Sequence, residues 1–217
     1  MDVPAQIQAV DREVEVRDAD GALAYAQTLG REYPSPIEEM WDAVTSVERI
    51  PRWFLPVTGD LREGGSYQLT GNAGGEIRSC TPPAGGRASY TITWGMSGDP
   101  ALVTLTLTAI DGERTRLELE SVVAADALPP GMWEQYGPGA TGVGFEQGLL
   151  GLSLHLTGDT SVTPETAEAW QVSDEGRDLA RRATEAWAEA HIAAGGDAAQ
   201  ARAAAEATYR FYTGDVS

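Results

Sequence analysis

The chain has 217 residues, of which 42% are hydrophobic, and 33 acidic against 15 basic residues give it a formal net charge of -18. This composition is typical of a globular protein with a buried core, whereas an acidic surface disfavours binding to nucleic acid. No segment approaches the roughly 20 apolar residues of a membrane span, and the N-terminus lacks the features of a secretory signal. The only cysteine, Cys80, cannot form an internal disulfide, so we expect a cytoplasmic protein.

Three segments of the chain differ in amino-acid composition and in the pattern of their apolar residues. Residues 1–19 are polar and charged, and we expect an N-terminal extension made of a short helix or a fraying strand. Residues 20–158 contain most of the glycines and prolines together with alternating patterns, and they predict the main domain. Residues 159–217 are rich in alanine and glutamate, and they predict a helical extension that packs on this domain or on a partner subunit.

The main domain is predicted to begin with a strand at 22–33, followed by two short helices. Ser35 is placed to cap the first helix, which would begin at Pro36, and the second would cover about 46–53. The apolar face of the first helix, at helical spacing, comprises Ile37, Met40, Trp41 and Val44.

A meander of strands with tight turns follows. Apolar and polar residues alternate along each segment, which predicts an antiparallel sheet with one face on the core and one in water. Asp111-Gly112 and the glycine-rich residues 71–75 are turn sequences. The predicted strands cover residues 66–70, 76–80, 87–94, 101–110 and 115–123.

A long helix is predicted at about 141–157. One face carries Phe145, Leu149, Leu152 and Leu156, and beside it lies a stripe of Gly144, Gly148, Gly151 and His155. Each glycine inside a helix costs about 0.5–1 kcal/mol relative to alanine. The stripe therefore predicts either the close approach of another backbone or space for a bound molecule.

Three further helices are predicted in the C-terminal segment. Their starts are marked by Thr163-Pro164, by Ser173 and by Asp197, the last with Gln200 as a variant capping box. Their apolar faces are thin and consist mainly of alanine. These faces are too thin to bury their own aromatic residues, which must pack against the main domain or a partner subunit. The aromatic residues are Trp170, Trp187, Tyr209 and Tyr212.

Several motifs in one order resemble the SRPBCC superfamily, in particular its branch named for the activator of the heat-shock-protein-90 ATPase, actinobacterial type with a C-terminal helical extension. The resemblance rests on residues 40–65 (MWDAVTSVERIPRWFLPVTGDLREGG), 67–77 (YQLTGNAGGEI), Thr93-Trp94 and 136–156 (YGPGATGVGFEQGLLGLSLHL). It implies an α+β START-like, helix-grip fold, in which a curved antiparallel sheet wraps around one long helix and encloses a cavity. It implies no reaction, because members include lipid and hormone binders, cyclases and co-chaperone domains.

Sites for metals, catalysis and phosphate are not predicted. Cys80, His155 and His191 lack the spacing of metal ligands, and no nucleophile motif surrounds Cys80. We interpret 71–76 as a hairpin turn and 137–144 as a tight turn before the long helix. We therefore expect no cofactor, no metal and no catalytic residue.

The resemblance makes a binding pocket the leading hypothesis. We expect a protein that binds a small hydrophobic or aromatic molecule in a cavity of several hundred Å³. The residues expected to line that pocket are Trp53, Leu69, Trp94, Leu107, Trp133, Tyr136, Phe145, Gly148, Leu149 and Leu152.

Two other functions remain open. The first is a co-chaperone-like regulatory domain that binds a protein partner or forms a homodimer, which a large apolar surface patch would favour. The second is a cyclase- or hydrolase-like enzyme using a pocket carboxylate such as Glu146, which a buried Glu beside Arg or His in the cavity would favour.

Overall fold

One antiparallel sheet of eight strands, in the order β1-β2-β8-β7-β6-β5-β4-β3, forms the frame of the molecule. The computed structural model describes residues 1–19, 21–96 and 100–215, so residue 20, where the main domain was expected to begin, lies outside them. The strands are β1 (Val10–Ala19), β2 (Ala22–Tyr33), β3 (Val57–Gly59), β4 (Ser66–Leu69), β5 (Gly74–Ala84), β6 (Arg87–Trp94), β7 (Ala101–Ala109) and β8 (Thr115–Ala124).

The sheet is curved, and its concave side holds the longest helix of the main domain, α4. This arrangement confirms the predicted α+β helix-grip fold. The helices are α1 (Val3–Gln8), α2 (Ile37–Thr45), α3 (Met132–Tyr136), α4 (Gly139–Thr157), α5 (Ala167–Gln171), α6 (Asp174–Ala193) and α7 (Ala198–Thr213). Within the described residues, no helix combines the length and the apolar character needed to cross a membrane.

The alternation of side chains predicted most strands closely. The segments 22–33 and 87–94 coincide with β2 and β6. In β8, Leu117 and Leu119 are buried while the residues between them are partly exposed, as expected for a sheet with one face on the core.

The sheet contains two strands, β1 and β3, in addition to the six predicted in the main domain. β1 lies in the N-terminal extension, where a short helix or a fraying strand was expected. β1 pairs with β2 along its whole length, from Val10↔Arg31 to Ala19↔Ala22, and it forms the edge of the sheet. Val10 and Val14 are buried in the main core.

Two local predictions between β2 and β3 were wrong. Pro36, not Ser35, occupies the cap position of α2, and no side chain caps this helix. Ser35 is buried, and its carbonyl accepts a hydrogen bond from Thr115 Oγ1 (2.8 Å), so it belongs to the connection between strand and helix. The expected helix at 46–53 is reduced to a 3-10 turn at Ile50–Arg52.

The C-terminal helices lie against the rest of the chain. Ser173 caps α6 by accepting a hydrogen bond from the Gly176 amide, and Asp197 caps α7 in the same way through the Gln200 amide. Trp187 of α6 is 1% exposed and belongs to the same core as the sheet. The Tyr212 hydroxyl donates to the Ala140 carbonyl of α4 (3.0 Å).

Candidate functional site: an apolar cavity under the long helix

A cavity of about 140 Å³ lies between the sheet, α4 and the chain that follows α2. Five strands, β4 to β8, contribute to its wall with side chains from the concave face. These residues are Tyr67, Leu69, Ile77, Cys80, Tyr90, Ile92, Trp94, Val103, Leu105, Leu117 and Leu119.

The opposite wall comes from two parts of the chain. One part runs from the end of α2 to the β3–β4 connection and contributes Val44, Thr45, Ile50, Trp53, Phe54, Val57 and Leu61. The other is α4, which contributes Phe145, Gly148, Leu149 and Leu152. Most of these side chains are hydrocarbon or aromatic, so the cavity favours an apolar guest.

Most of the predicted pocket residues meet at this cavity. Seven of the ten lie in its wall: Trp53, Leu69, Trp94, Phe145, Gly148, Leu149 and Leu152. Sequence reasoning missed Phe54, Tyr67 and Tyr90. In β6, the alternation of side chains places Tyr90 on the same face as Ile92 and Trp94. This alternation could therefore have identified Tyr90 as a cavity residue.

Three predicted pocket residues lie elsewhere. Leu107 is fully buried between its strand neighbours Ala88 and Leu117, and it is not part of the described cavity wall. Trp133 stacks on Tyr25 with ring centroids 3.9 Å apart. α3 lies against α7, away from the cavity, and this position explains why Trp133 does not reach it.

Tyr136 lies on α3 as well, and the packing of α3 against α7 keeps it away from the cavity in the same way. Its ring packs edge-on against Phe211 of α7 at 6.0 Å, and its carbonyl accepts a hydrogen bond from Thr208 Oγ1 (2.8 Å).

Residues 46–56, here called the closing segment, pack against the glycine stripe of α4. The rings of Trp53 and Phe54 stack at 5.5 Å, and the Trp53 indole N–H donates to the Ala43 carbonyl (2.9 Å). A Cβ at Gly151 would overlap the Trp53 carbonyl oxygen, whereas one at Gly148 would lie 3.4 Å from the Phe54 ring. The stripe therefore meets a backbone at Gly151 and an aromatic edge of the cavity at Gly148.

Buried polar contacts hold α4 on the β1–β2 side of the sheet. Arg12 and Glu146 form a two-pronged ion pair at 2.6 and 2.7 Å, with both side chains less than a tenth exposed. The Tyr33 hydroxyl donates to the Leu149 carbonyl (3.0 Å). Glu146 thus serves as a structural partner of Arg12, and it is absent from the described cavity wall.

The end of α4 is linked to the closing segment by a histidine. Arg49 Nη2 lies 3.1 Å from His155 Nε2, and the same guanidinium pairs with Glu39 and Asp42. Burial lowers the pKa of His155, and the nearby charges of Arg49 and Arg52 lower it further. A neutral His155 can accept the hydrogen bond from Arg49.

The other two residues considered as metal ligands lie in different places. Cys80 is a free cysteine in the cavity wall, and burial, followed by the charge of Glu63, raises the pKa of its thiol. His191 of α6 faces the edge of Trp133 at 5.5 Å, and burial lowers its pKa.

The size of the cavity corrects one expectation. Pockets for drug-sized ligands measure roughly 300–1,000 Å³, well above the 140 Å³ found here. An engineered apolar cavity of roughly 150 Å³ in another protein binds benzene. The space under α4 is therefore matched to a molecule of about one aromatic ring.

Comparisons with known proteins agree with this architecture. A family model described as "Activator of Hsp90 ATPase homolog 1-like protein" matches residues 34–154, a range that contains the whole cavity wall described above. No curated protein matches the chain in sequence.

Solved structures similar to the chain include two of one protein, CalU16, and one of a more distant protein. The crystal structure of CalU16 from Micromonospora echinospora is 33% identical, with a TM-score of 0.62, and the match covers 84% of this chain and 98% of CalU16. The solution NMR structure of CalU16 gives 32% identity, a TM-score of 0.65 and coverage of 86% and 97%. A protein of unknown function from Enterococcus faecalis, EF2215, shares the fold alone, at 11% identity, a TM-score of 0.57 and coverage of 83% and 91%.

Proposed function

The chain belongs to the family of activator of Hsp90 ATPase homolog 1-like proteins, and from that premise we propose that it binds a small apolar molecule in the cavity under α4. The fold of this family is compatible with ligand binding and with a co-chaperone role. The observation that supports ligand binding here is the cavity itself, a space of about 140 Å³ lined mostly by apolar and aromatic side chains. Burial of a hydrocarbon ring in such a space is favourable because apolar surface leaves water.

The surface gives less support to a protein-binding role. Among the described residues, the large apolar side chains that are exposed are spread over separate elements, for example Leu23 of β2, Val172 after α5 and Phe211 of α7. Isolated residues of this kind are normal on monomeric proteins. Binding inside the cavity is therefore the function that the geometry supports best.

A cavity-filling substitution tests the proposal. Toluene is titrated by isothermal calorimetry into the wild type, into Gly148→Leu and into Gly148→Ala. Leucine at 148 would place three more carbon atoms than alanine toward Phe54 and the cavity. We expect the wild type and Gly148→Ala to bind toluene, and Gly148→Leu to lose at least tenfold in affinity.

Two results would contradict the proposal. One is the absence of any binding to the wild type. The other is equal binding to all three proteins, because the ligand would then occupy a different place.

A further inference from the structure

One hydroxyl group in the cavity wall is left without a partner. Tyr90 lies in the middle of β6, where it is paired with Cys80 of β5 and Leu105 of β7, and all three residues line the cavity. The Tyr90 hydroxyl makes no hydrogen bond to any residue that the structure describes.

Other polar groups of the wall are already engaged. The Tyr67 hydroxyl donates to the Thr93 carbonyl (2.9 Å), and Thr45 Oγ1 donates to the Trp41 carbonyl (2.6 Å). With the bonded indole of Trp53 also accounted for, the strong donors of this wall that make no hydrogen bond to a described residue are the Tyr90 hydroxyl and the Trp94 indole N–H. Tyr90 is partly exposed and lines the cavity, so its hydroxyl is free to donate a hydrogen bond to a ligand that places an acceptor there.

The ring that carries this hydroxyl is held in place. Trp41 of α2 packs edge-on against it, with centroids 6.2 Å apart and an interplanar angle of 69°. Burial raises the pKa of Tyr90, and the neighbouring Tyr67 and Cys80 add to that effect. The hydroxyl is therefore a protonated donor at neutral pH with a restricted position, which reduces the entropy lost when it binds an acceptor.

We infer that the ligand is an aromatic molecule of about one ring that carries a carbonyl-type oxygen, which accepts a hydrogen bond from the Tyr90 hydroxyl. This inference rests on the proposed function and names the ligand class for the same site. The ring occupies the apolar space, and the oxygen accepts the hydrogen bond that the Tyr90 hydroxyl can donate.

Two planar compounds with the same number of heavy atoms, benzaldehyde and styrene, test the inference. Each is titrated by calorimetry into the wild type, into Tyr90→Phe and into Tyr67→Phe, and the ratio of the two affinities is compared between proteins. The ratio cancels the difference in hydration of the two compounds. The Tyr67→Phe control also removes an oxygen from the cavity wall, but one that is already bonded to Thr93.

We expect the preference for benzaldehyde relative to styrene to fall about fivefold to tenfold in Tyr90→Phe, as for the loss of one hydrogen bond. Tyr67→Phe should keep the wild-type ratio. A ratio that is unchanged in Tyr90→Phe, or that falls equally in both variants, overturns the inference while leaving the proposed function intact. If neither compound binds the wild type, the proposed function fails and the inference fails with it.

Discussion

At the scale of single residues, the glycines of α4 have different neighbours. A Cβ at Gly142 would overlap the ring of Trp187, and one at Gly144 would lie 2.9 Å from the Tyr212 hydroxyl. At Gly151 the neighbour is the Trp53 backbone, and at Gly148 it is the edge of Phe54. One stripe of small residues therefore serves two purposes, since it admits close packing at most positions and borders the cavity at Gly148.

Comparing Gly148→Ala with Gly151→Ala distinguishes the glycine that borders the cavity from a glycine that permits close packing. We expect Gly148→Ala to be neutral or to stabilise the protein by up to about 1 kcal/mol, because alanine favours the helix. Gly151→Ala should destabilise it by roughly 1–3 kcal/mol, because the added methyl group displaces the closing segment. Urea unfolding measures both changes, and equal stability of the two variants would contradict the assignment of the Trp53 contact.

The contact between His155 and Arg49 makes stability dependent on pH. The pKa of His155 is lowered in the folded protein, by burial first and then by Arg49 and Arg52, whereas Glu39 opposes this shift. The neutral form is therefore favoured by folding. The resulting stabilisation is fully present above the unfolded value of about 6.5 and is lost as the pH falls toward the lower folded value.

We expect the free energy of unfolding to fall between pH 7.5 and pH 5.5, measured by urea titration at each pH. His155→Gln should reduce this fall, and the remainder should come from His191, whose pKa burial also lowers. An identical fall in wild type and His155→Gln would show that His155 does not contribute.

At the scale of elements, residue alternation predicted most of the sheet but not its edge. In β1 the inward positions read Val10, Arg12 and Val14, so a charged residue interrupts the apolar series. That arginine is tolerated because Glu146 of α4 neutralises it. A long-range ion pair leaves no mark on the local pattern, so the residues of this segment left a short helix and a fraying strand as alternatives.

The same limit explains the errors in the predicted pocket. Residues on α4 were placed well, because their periodicity fixes which face they occupy. Leu107 shares the buried face of β7 with Val103 and Leu105 but is absent from the cavity wall, since alternation predicts the face and not the position along the strand. Trp133 and Tyr136 lie on a short helix whose orientation depends on contacts with Tyr25 and Phe211, both distant in sequence. Phe54 lies in the closing segment, which has no periodic pattern, so only the folded structure places it at the cavity.

The packing of α6 on α4 depends on one aromatic side chain. Trp187 is 1% exposed, and Gly142 provides the room for its ring. We expect Trp187→Ala to cost roughly 3–5 kcal/mol in the free energy of unfolding, as for other buried large aromatic residues. Phe211→Ala, in the same C-terminal segment but 67% exposed, should change it by less than about 1 kcal/mol. Similar effects of the two substitutions would contradict the packing described for α6.

At the scale of the whole molecule, one side of α4 is attached to the sheet and another side borders the cavity. Its contacts with Arg12 and Tyr33 fix the helix to β1 and β2, while Phe145, Leu149 and Leu152 face the apolar space over the other strands. The closing segment and α2 cover that space from above. A rigid attachment on one side thus leaves the other side of the helix free to border a cavity, which is the basis of the proposed binding function.

A crystal of the protein soaked with bromobenzene tests this central claim most directly, because bromine is located by its anomalous scattering. We expect one strong bromine peak in the cavity, within contact distance of Phe54, Trp94 and Phe145. Bromine peaks confined to the surface, with the space under α4 left empty, would contradict it.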